Sequence, residues 1–405
     1  MILSVTGNAG PKVRSDIEVT LELTQSGGIE LAIKSKVKSM YGKAIEKQCR
    51  ELLSHFGIEN AKISVSDSGA LPFVIAARVE AAVKALTKTT VTYIPEMLAE
   101  NTYGSTRERF RFSRLYLPGN NPGMFLNAGL HSPDGVILDL EDSVAPAKKD
   151  EARILVRNAL CAVNFYGAER MVRINQGTRG LEDLDYVIPH NVHLILVPKC
   201  EDPDTLKAIE KKVASLKKGE RNPTPVFLMP IIESALGVER AYDIARATSN
   251  VVAMAIGLED YTADLGVERT REGVESLYAR NRIVVAAKAA AIQPIDSVFS
   301  DVGDMEGLLN NVRLSKSLGF EGMGCIHPRQ IAVIREGFSP SQDEIGKAKK
   351  IIMAFSEAQA KGLGVVSLGT KMIDPPVVAR AEKTINLALK MGLLPDNWIE
   401  LEAKE

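Results

Sequence analysis

Two apolar runs in this chain end abruptly on acids. The run at 226–233, VFLMPIIE, closes on Glu233, and the run at 251–260, VVAMAIGLED, closes on Glu259 and Asp260. Each run is too short to cross a membrane and suits a strand buried on both faces. A carboxylate delivered by the C-terminal tip of a buried parallel strand is where α/β barrels keep their chemistry. Two such acids on neighbouring tips can share one hard divalent cation. Mg2+ takes one or two carboxylates from protein and keeps water and substrate oxygens in its other positions. Neither tip carries a histidine, which disfavours zinc or a non-haem iron triad. Glu233 and Asp260 are therefore the expected metal pair. By spacing alone helix capping stays open for both, with Asp260 ahead of a helix starting near Tyr261.

Arg173 closes a third run as Val172-Arg173-Ile174-Asn175. A charge there is unfavourable unless it meets an anion, either a substrate or a structural partner such as Asp139 or Glu141. In Asp139-Leu140-Glu141-Asp142 the alternation turns Asp139 and Glu141 one way and Asp142 the other. Glu141 is then a partner of Arg173 or a group holding the metal's waters. Lys199 could neutralise a substrate carboxylate or act as an amine nucleophile, which needs a depressed pKa; a solvated or paired lysine is the ordinary reading. His327 reads as a helix-entry histidine rather than a base.

These residues need a scaffold. From Phe112 onward, eight buried-looking runs alternate with segments of helical composition, and nearly every run ends in polar residues. That repetition predicts an α/β fold, a (β/α)8 TIM barrel, over 110–345. No GxGxxG or P-loop supports an open nucleotide-binding sheet. A C-terminal helical segment is expected over 346–405. Residues 1–86 read as a small α+β module of order β-β-α-β-α: strands at 17–23 and 29–33 as an antiparallel hairpin around Ser26-Gly27-Gly28, a helix at 37–56 stopped by Gly57, a strand at 61–66 and a helix at 73–86. Residues 87–109 are polar and weakly periodic, a linker with one short helical turn near 96–100.

Composition narrows the classes. The chain has 405 residues, 45% of them hydrophobic, a net charge of −1 and no basic block, which argues against nucleic acid as a partner. The four cysteines (Cys49, Cys161, Cys200, Cys325) are scattered without a CxxC pair, so reduced thiols are expected. No membrane span and no basic signal-peptide region is present, and a cytoplasmic location is expected.

The motifs LYLPG, ILDLEDSV, VRIN, VPK, IESALG, GLEDYTADLG, ARNRIVVAAKAA, SDVGDMEG, HPRQI and GLGVVSLGTKMIDPPVV follow one another between 112 and 389. In that order they resemble the citrate lyase beta subunit family within the HpcH/HpaI aldolase superfamily. The resemblance implies that Glu233 and Asp260 are Mg2+ ligands and that Arg173 binds substrate. It also implies that Asp374 of KMID is an acid contributed by a C-terminal segment, in several relatives from a neighbouring subunit. Locally Asp374 reads as a helix N-cap ahead of Pro375. One departure stands in the first strand: the family's Arg-Ser is Phe112-Ser113 here, with arginines displaced to Arg111 and Arg114. The N-terminal stretches AGPKVRSDIEV and DSGALPFVIAARVEAAVKAL look like the citrate lyase acyl carrier, which holds a phosphoribosyl-dephospho-CoA group on a serine. The family's Ser-Gly-Asp is Arg14-Ser15-Asp16 here. Direct alignment sets the family's serine on Arg14, and Ser15 is the possible attachment residue one place late.

The resemblance implies a lyase that cleaves a citryl thioester to oxaloacetate and an acetyl thioester, with Asp374 as base, Mg2+ on Glu233 and Asp260, and Arg173 facing the developing enolate. A fused carrier would hold its substrate at an effective concentration of about mM. It implies a homotrimer or hexamer and, in a complex, an acyl-exchanging citrate lyase alpha subunit. Two alternatives remain at this stage. One is a free CoA-ester lyase of the malyl- or citramalyl-CoA type with a non-carrier N-terminal domain; the other is a non-catalytic scaffold subunit, which loss of the acids would signal.

Overall fold

The computed structural model describes residues 3–219, 224–360, 362, 364–368 and 371–402. It forms two compact units, Met1–Ile331 and Ala332–Glu405.

The first unit opens with a four-stranded sheet. Strands β1 (Leu3–Thr6), β2 (Ile17–Leu23), β3 (Ile29–Ser35) and β4 (Ala61–Asp67) lie in the order β1-β2-β4-β3. The expected hairpin is not formed. β4 sits between β2 and β3, antiparallel to the first and parallel to the second. Spacing explains the difference: β2 and β3 lie two strand widths apart, about 9–10 Å, which a two-residue turn cannot span and the five-residue loop 24–28 can. That loop is tied to the start of β4, since Thr24 N–H donates to the Asn60 carbonyl and Ala61 N–H to that of Gly28. Helices α1 (Lys38–His55) and α2 (Pro72–Leu86) cover the sheet. Gly57, at φ +71°, stops α1 as its position predicts.

The barrel strands are β5 (Ser113–Pro118), β6 (Gly135–Asp139), β7 (Glu169–Arg173), β8 (Leu194–Val197), β9 (Phe227–Ile232), β10 (Ala253–Ile256), β11 (Gln293–Ile295) and β12 (Met323–Cys325). All are parallel, in the order β11-β10-β9-β8-β7-β6-β5-β12, and a bridge from Asp296 to Met323 closes the ring. The eight predicted runs supply these eight strands. Helices follow each strand: α3 (Pro122–Phe125), α4 (Lys149–Ala162), α5 (Gly177–Val187), α6 (Pro203–Leu216), α7 (Ala235–Glu239), α8 (Ala241–Ala245), α9 (Leu258–Leu265), α10 (Leu277–Ala289), α11 (Met305–Leu318) and α12 (Arg329–Phe338). The interior is filled by Ile137, Met171, Leu196, Met229, Ile231, Ala255 and neighbours, so the barrel is a packed core rather than a pore.

The N-terminal module is docked on this barrel through buried charge. Arg78 of α2, fully buried, donates to both Asp16 oxygens at 3.0 and 2.9 Å and to the Asn120 side chain at 2.7 Å, and pairs with Glu151 of α4. Arg157 of α4 grips Glu80 of α2 at 2.9 and 2.7 Å. Glu151 also accepts from Gly7 N–H. Charges this deep hold their geometry because separating them would leave ions unpaired away from water. Residues 87–109 run along the barrel; Asn101, fully buried, donates to the carbonyls of Leu160, Cys161 and Val163.

The second unit holds α13 (Gln342–Ala360), β13 (Val366–Leu368), β14 (Lys371–Ile373), α14 (Pro375–Lys390) and α15 (Trp398–Glu402). The two strands pair antiparallel, and α13 and α14 share a core of Ile345, Ala348, Ala381, Ile385 and Trp398. Among the described residues no helix is long and apolar enough to cross a membrane.

Candidate active site

β9 and β10 pair with Ile231 opposite Ala255 and Ile232 opposite Ile256, so the chain leaves both strands side by side at Glu233 and Gly257. Glu233 is 6% exposed, and its Oε2 accepts the Lys199 backbone N–H at 2.8 Å. Its other side lies against Gly257. A Cβ there would fall 2.5 Å from Glu233 Oε1 and 2.6 Å from its Cγ, so only glycine leaves room for this carboxylate. Asp260 lies in the first turn of α9, and its Oδ1 meets Lys199 Nζ at 3.2 Å. Neither acid caps a helix: Ser234 caps α7, and Gly257 stands at the N-cap of α9. Glu259 also lines the mouth, where it pairs with Arg269 at 2.7 Å.

Lys199 joins the two acids, its amide on one and its ammonium on the other. Its backbone is left-handed, φ +46°, unusual for a residue with a Cβ and of the sort that gathers at functional sites. Burial alone would lower its pKa, but the hydrogen bond and charge of Asp260 raise it, opposite to what an amine nucleophile needs. Burial, with the Asp260 charge adding to it, pushes Glu233 up to about 7.

Arg173 ends β7 opposite Asp139 in register. Its Nε and Nη2 both donate to Asp139 at 2.7 Å, while Nη1 faces Glu141 at 3.2 Å and Asp142 at 3.4 Å. Its guanidinium stands 5.4 Å from the Tyr116 ring centre. Burial would lower the Arg173 pKa, but Asp139 overrides it and keeps the guanidinium charged. For Asp139 the burial penalty is likewise overcome, and its pKa is lowered. The structural partnership that strand geometry allowed for Arg173 is therefore present. Glu141 is half of it, accepting also from Gln176 at 2.8 Å, with its own pKa raised by burial against the pull of Arg173.

Glu233, Asp260, Arg173, Asp139 and Asp142 line one cavity of about 500 Å3 at the barrel mouth, with Arg114, Tyr116 and Met124. His327 is not among the residues lining this cavity; its Nδ1 accepts Arg329 N–H at the entry to α12. Asp374 belongs to the second unit, where it caps α14 and accepts Val377 N–H at 3.2 Å. Ser15 is half-buried, with φ +57° and its N–H on the Ser68 carbonyl. The neighbouring Arg14 carbonyl abuts Gly123, where a Cβ would meet it at 3.0 Å, one residue from the cavity-lining Met124. Sequence reasoning passed over Gly257 and Tyr116 and read Lys199 only as a solvated or paired lysine. For Gly257 the turn before the acids was the one available signal.

The donor set suits a small hard cation. Two carboxylate oxygens converge, and a like charge beside the buried Glu233 is a repulsion that a divalent ion would remove. Among the described residues no three His, Cys, Asp or Glu side chains gather into a closed metal cage. An open two-acid site leaves coordination positions for water and substrate.

The profile of the HpcH/HpaI aldolase/citrate lyase family matches residues 113–328, which hold every one of these cavity residues. The chain belongs to that family. It is a carbon–carbon lyase. Residues 6–86 match the family of the malonate decarboxylase delta subunit, an acyl-carrier family, so a carrier-type module is fused ahead of the lyase barrel. The chain is 39% identical over 302 residues to the citrate lyase subunit beta of Leuconostoc mesenteroides subsp. cremoris, covering 72% of this chain and 99% of that one. It is 36% identical to human mitochondrial citramalyl-CoA lyase, over 68% of this chain and 84% of the other. The Mycobacterium tuberculosis protein CitE, solved in complex with magnesium, acetoacetate and coenzyme A, superposes with a TM-score of 0.58 at 29% identity, covering 70% of this chain and 99% of that chain. A citrate lyase from Burkholderia xenovorans at 20% identity and TM-score 0.63 shares the fold.

Proposed function

We propose that the barrel cleaves a 3-hydroxyacyl thioester, a citryl thioester first among them, into oxaloacetate and an acetyl thioester. The observation that carries this reading is the convergence of Glu233, Asp260 and Arg173 on one cavity in a chain so close to citrate lyase beta subunits. The reaction moves one proton and one electron pair. The substrate hydroxyl gives its proton to a base, the carbon–carbon bond breaks, and its electrons pass to the α-carbon of the thioester as an enolate. Protonation of that carbon completes the acetyl product.

Glu233 and Asp260 would hold Mg2+, which supplies a Lewis acid for the hydroxyl that becomes a ketone and for its neighbouring carboxylate. Lys199 positions both acids, its amide fixing Glu233 and its ammonium balancing Asp260. Asp139 orients Arg173 through two hydrogen bonds, and Nη1, shared between buried Glu141 at 3.2 Å and exposed Asp142 at 3.4 Å, is the edge that would meet substrate where Asp142 yields its place. Such a fixed cation stabilises the enolate without reorganising at the moment of reaction. Asp374 is the proposed base, contributed in cis or by a neighbouring copy in a trimer or hexamer. A base in this role works in a closed site from which water is excluded.

A second reading has a specific observation behind it. Ser15 adopts the left-handed backbone that glycine prefers, in the slot the carrier pattern gives to glycine, and this leaves exposed Arg14 where the attachment serine would stand. That favours free CoA esters, of citryl, malyl or citramalyl type, over a phosphoribosyl-dephospho-CoA arm on Ser15. Intact mass of chain purified from its own host decides between them: added mass on Ser15 supports the tethered carrier and an alpha-subunit partner, and an unmodified chain active on free CoA esters supports the second reading. The lyase assignment itself is tested with Mg2+ and a panel of 3-hydroxyacyl-CoA esters, and absence of cleavage across the panel would end it.

A further inference from the structure

Five arginines of the first unit, Arg78, Arg111, Arg114, Arg157 and Arg170, are essentially removed from solvent. Three meet carboxylates: Arg78 on Asp16, Arg111 on Glu169 and Arg157 on Glu80. Arg170 has the Leu160 carbonyl, His193 and the Tyr103 ring. Arg114 has none of these. Its one polar contact among the described residues is Nη1 to the Met229 sulfur at 3.0 Å, and its buried Nε has no partner. A thioether is a weak acceptor, and a buried guanidinium without an anion is strongly unfavourable.

Among the described residues no free countercharge stands beside it: the Glu169 charge favours it, but Arg111 holds both oxygens of that carboxylate and itself opposes it. Burial pushes the Cys325 thiol up to about 12, and burial also raises Tyr116, so both stay neutral. The acids that line the same cavity are engaged elsewhere. Asp139 and Asp142 face Arg173, and Asp260 faces Lys199. Glu233 holds the Lys199 amide, Glu259 pairs with Arg269, and Asp296 pairs with Arg280. Arg114 nevertheless lines that cavity. On β5 it shares the interior face with Tyr116, two residues and about 7 Å deeper into the barrel, against a wall that includes Ile231, Ala255 and Gly324.

We propose that Arg114 receives a second carboxylate of the substrate's acyl group at the floor of the cavity, so that the barrel selects dicarboxylic over monocarboxylic acyl chains. The inference rests on the lyase reading for the identity of its ligand. The guanidinium fork matches a carboxylate in two parallel hydrogen bonds, and the apolar wall strengthens that pairing. Substrates lacking the second carboxylate leave the fork unpaired, the condition under which polar sites discriminate most. Oxaloacetate carries the extra carboxylate and pyruvate does not. These two 2-oxo acids therefore probe the floor without any thioester.

The experiment is calorimetric titration of oxaloacetate and of pyruvate, each with Mg2+, into the full chain and into Arg114→Met and Arg114→Lys, with thermal melting of each protein. The wild type is expected to bind oxaloacetate at least about 10-fold more tightly than pyruvate. Arg114→Met should abolish that preference, change pyruvate binding less than twofold, and melt at the same temperature or higher, because it removes an unpaired buried charge. Arg114→Lys should keep part of the preference. Equal loss for both acids, a preference that survives Arg114→Met, or a wild type that binds neither acid overturns the proposal. Because binding is the readout, a failure to cleave any thioester would sink the lyase reading while leaving this result to stand or fall by itself.

Discussion

Gly257→Ala is a small change with a large expected effect on the cation site. Glycine at 257 has φ −110° and ψ 102°, an extended conformation any residue adopts, so alanine adds no backbone strain. What it adds is a methyl group 2.5 Å from Glu233 Oε1 and 2.6 Å from Cγ, where about 3.5–4 Å is normal. Glu233 must therefore move by about 1 Å or more. It is 6% exposed and anchored to the Lys199 amide at 2.8 Å, so it cannot swing into solvent without breaking that bond. Losing a hydrogen bond to a charged group costs about 1.5–3 kcal/mol, and a ligand displaced by about 1 Å costs on the order of 100-fold in function. We expect Mg2+ to bind about 10- to 100-fold more weakly in Gly257→Ala, with turnover partly restored by high Mg2+. Titration of Mg2+ into both proteins, followed by turnover against Mg2+ concentration, reads this directly. Wild-type Mg2+ affinity in the alanine variant would refute the placement of Glu233 as a ligand.

Other consequences are equally open to measurement. Asp374→Asn keeps the N-cap of α14, whereas Asp374→Ala also removes it at about 1 kcal/mol; both should lower kcat far more than they raise KM, and an equal effect on the two constants would argue against a base. Arg157→Met leaves the buried Glu80 with Lys84 at 3.4 Å as its remaining cation and should cost about 1–3 kcal/mol, seen in calorimetry as a lower Tm with the module and barrel still melting together; a separate melting transition for the module would contradict the docked arrangement. His190 and His193 have pKa values pushed down by burial, then by nearby arginines, to about 4 and about 3 from 6.5. Their folded values lie below the unfolded one, so the unfolded chain binds more protons as the pH falls through 6.5. Stability should therefore drop between pH 6.5 and about 4, by roughly 3 kcal/mol for His190 alone, and urea midpoints across that range that do not move would refute it.

The barrel was legible because strands buried on both faces leave continuous apolar runs, and their polar endings mark the mouth. Glu233 and Asp260 stood out for the same reason. The small sheet was harder. Alternation at 17–23 and 29–33 revealed two strands, but pairing depends on which third strand comes between them, and β4 is 26 residues further on from the end of β3 in register with both. Lys199 looked like an ordinary paired lysine, because its left-handed backbone and its reach to both acids are properties of three dimensions. Arg114 was noticed only as a displaced arginine; that it meets no carboxylate among the described residues can be known only from everything packed around it. Asp374 shows locally as nothing but a helix cap, and its candidacy rests on family resemblance rather than on any signal of burial or spacing.

The central claim is that Glu233 and Asp260 form a divalent-cation site that drives carbon–carbon cleavage at the barrel mouth. Its most direct test is oxaloacetate release from citryl-CoA, followed by NADH consumption with added malate dehydrogenase, in wild type and in the Glu233→Gln/Asp260→Asn double variant. The account predicts release by the wild type that stops on chelation and returns with Mg2+, and none from the double variant at any Mg2+ concentration. Metal-independent release, or a double variant as active as wild type, would contradict it.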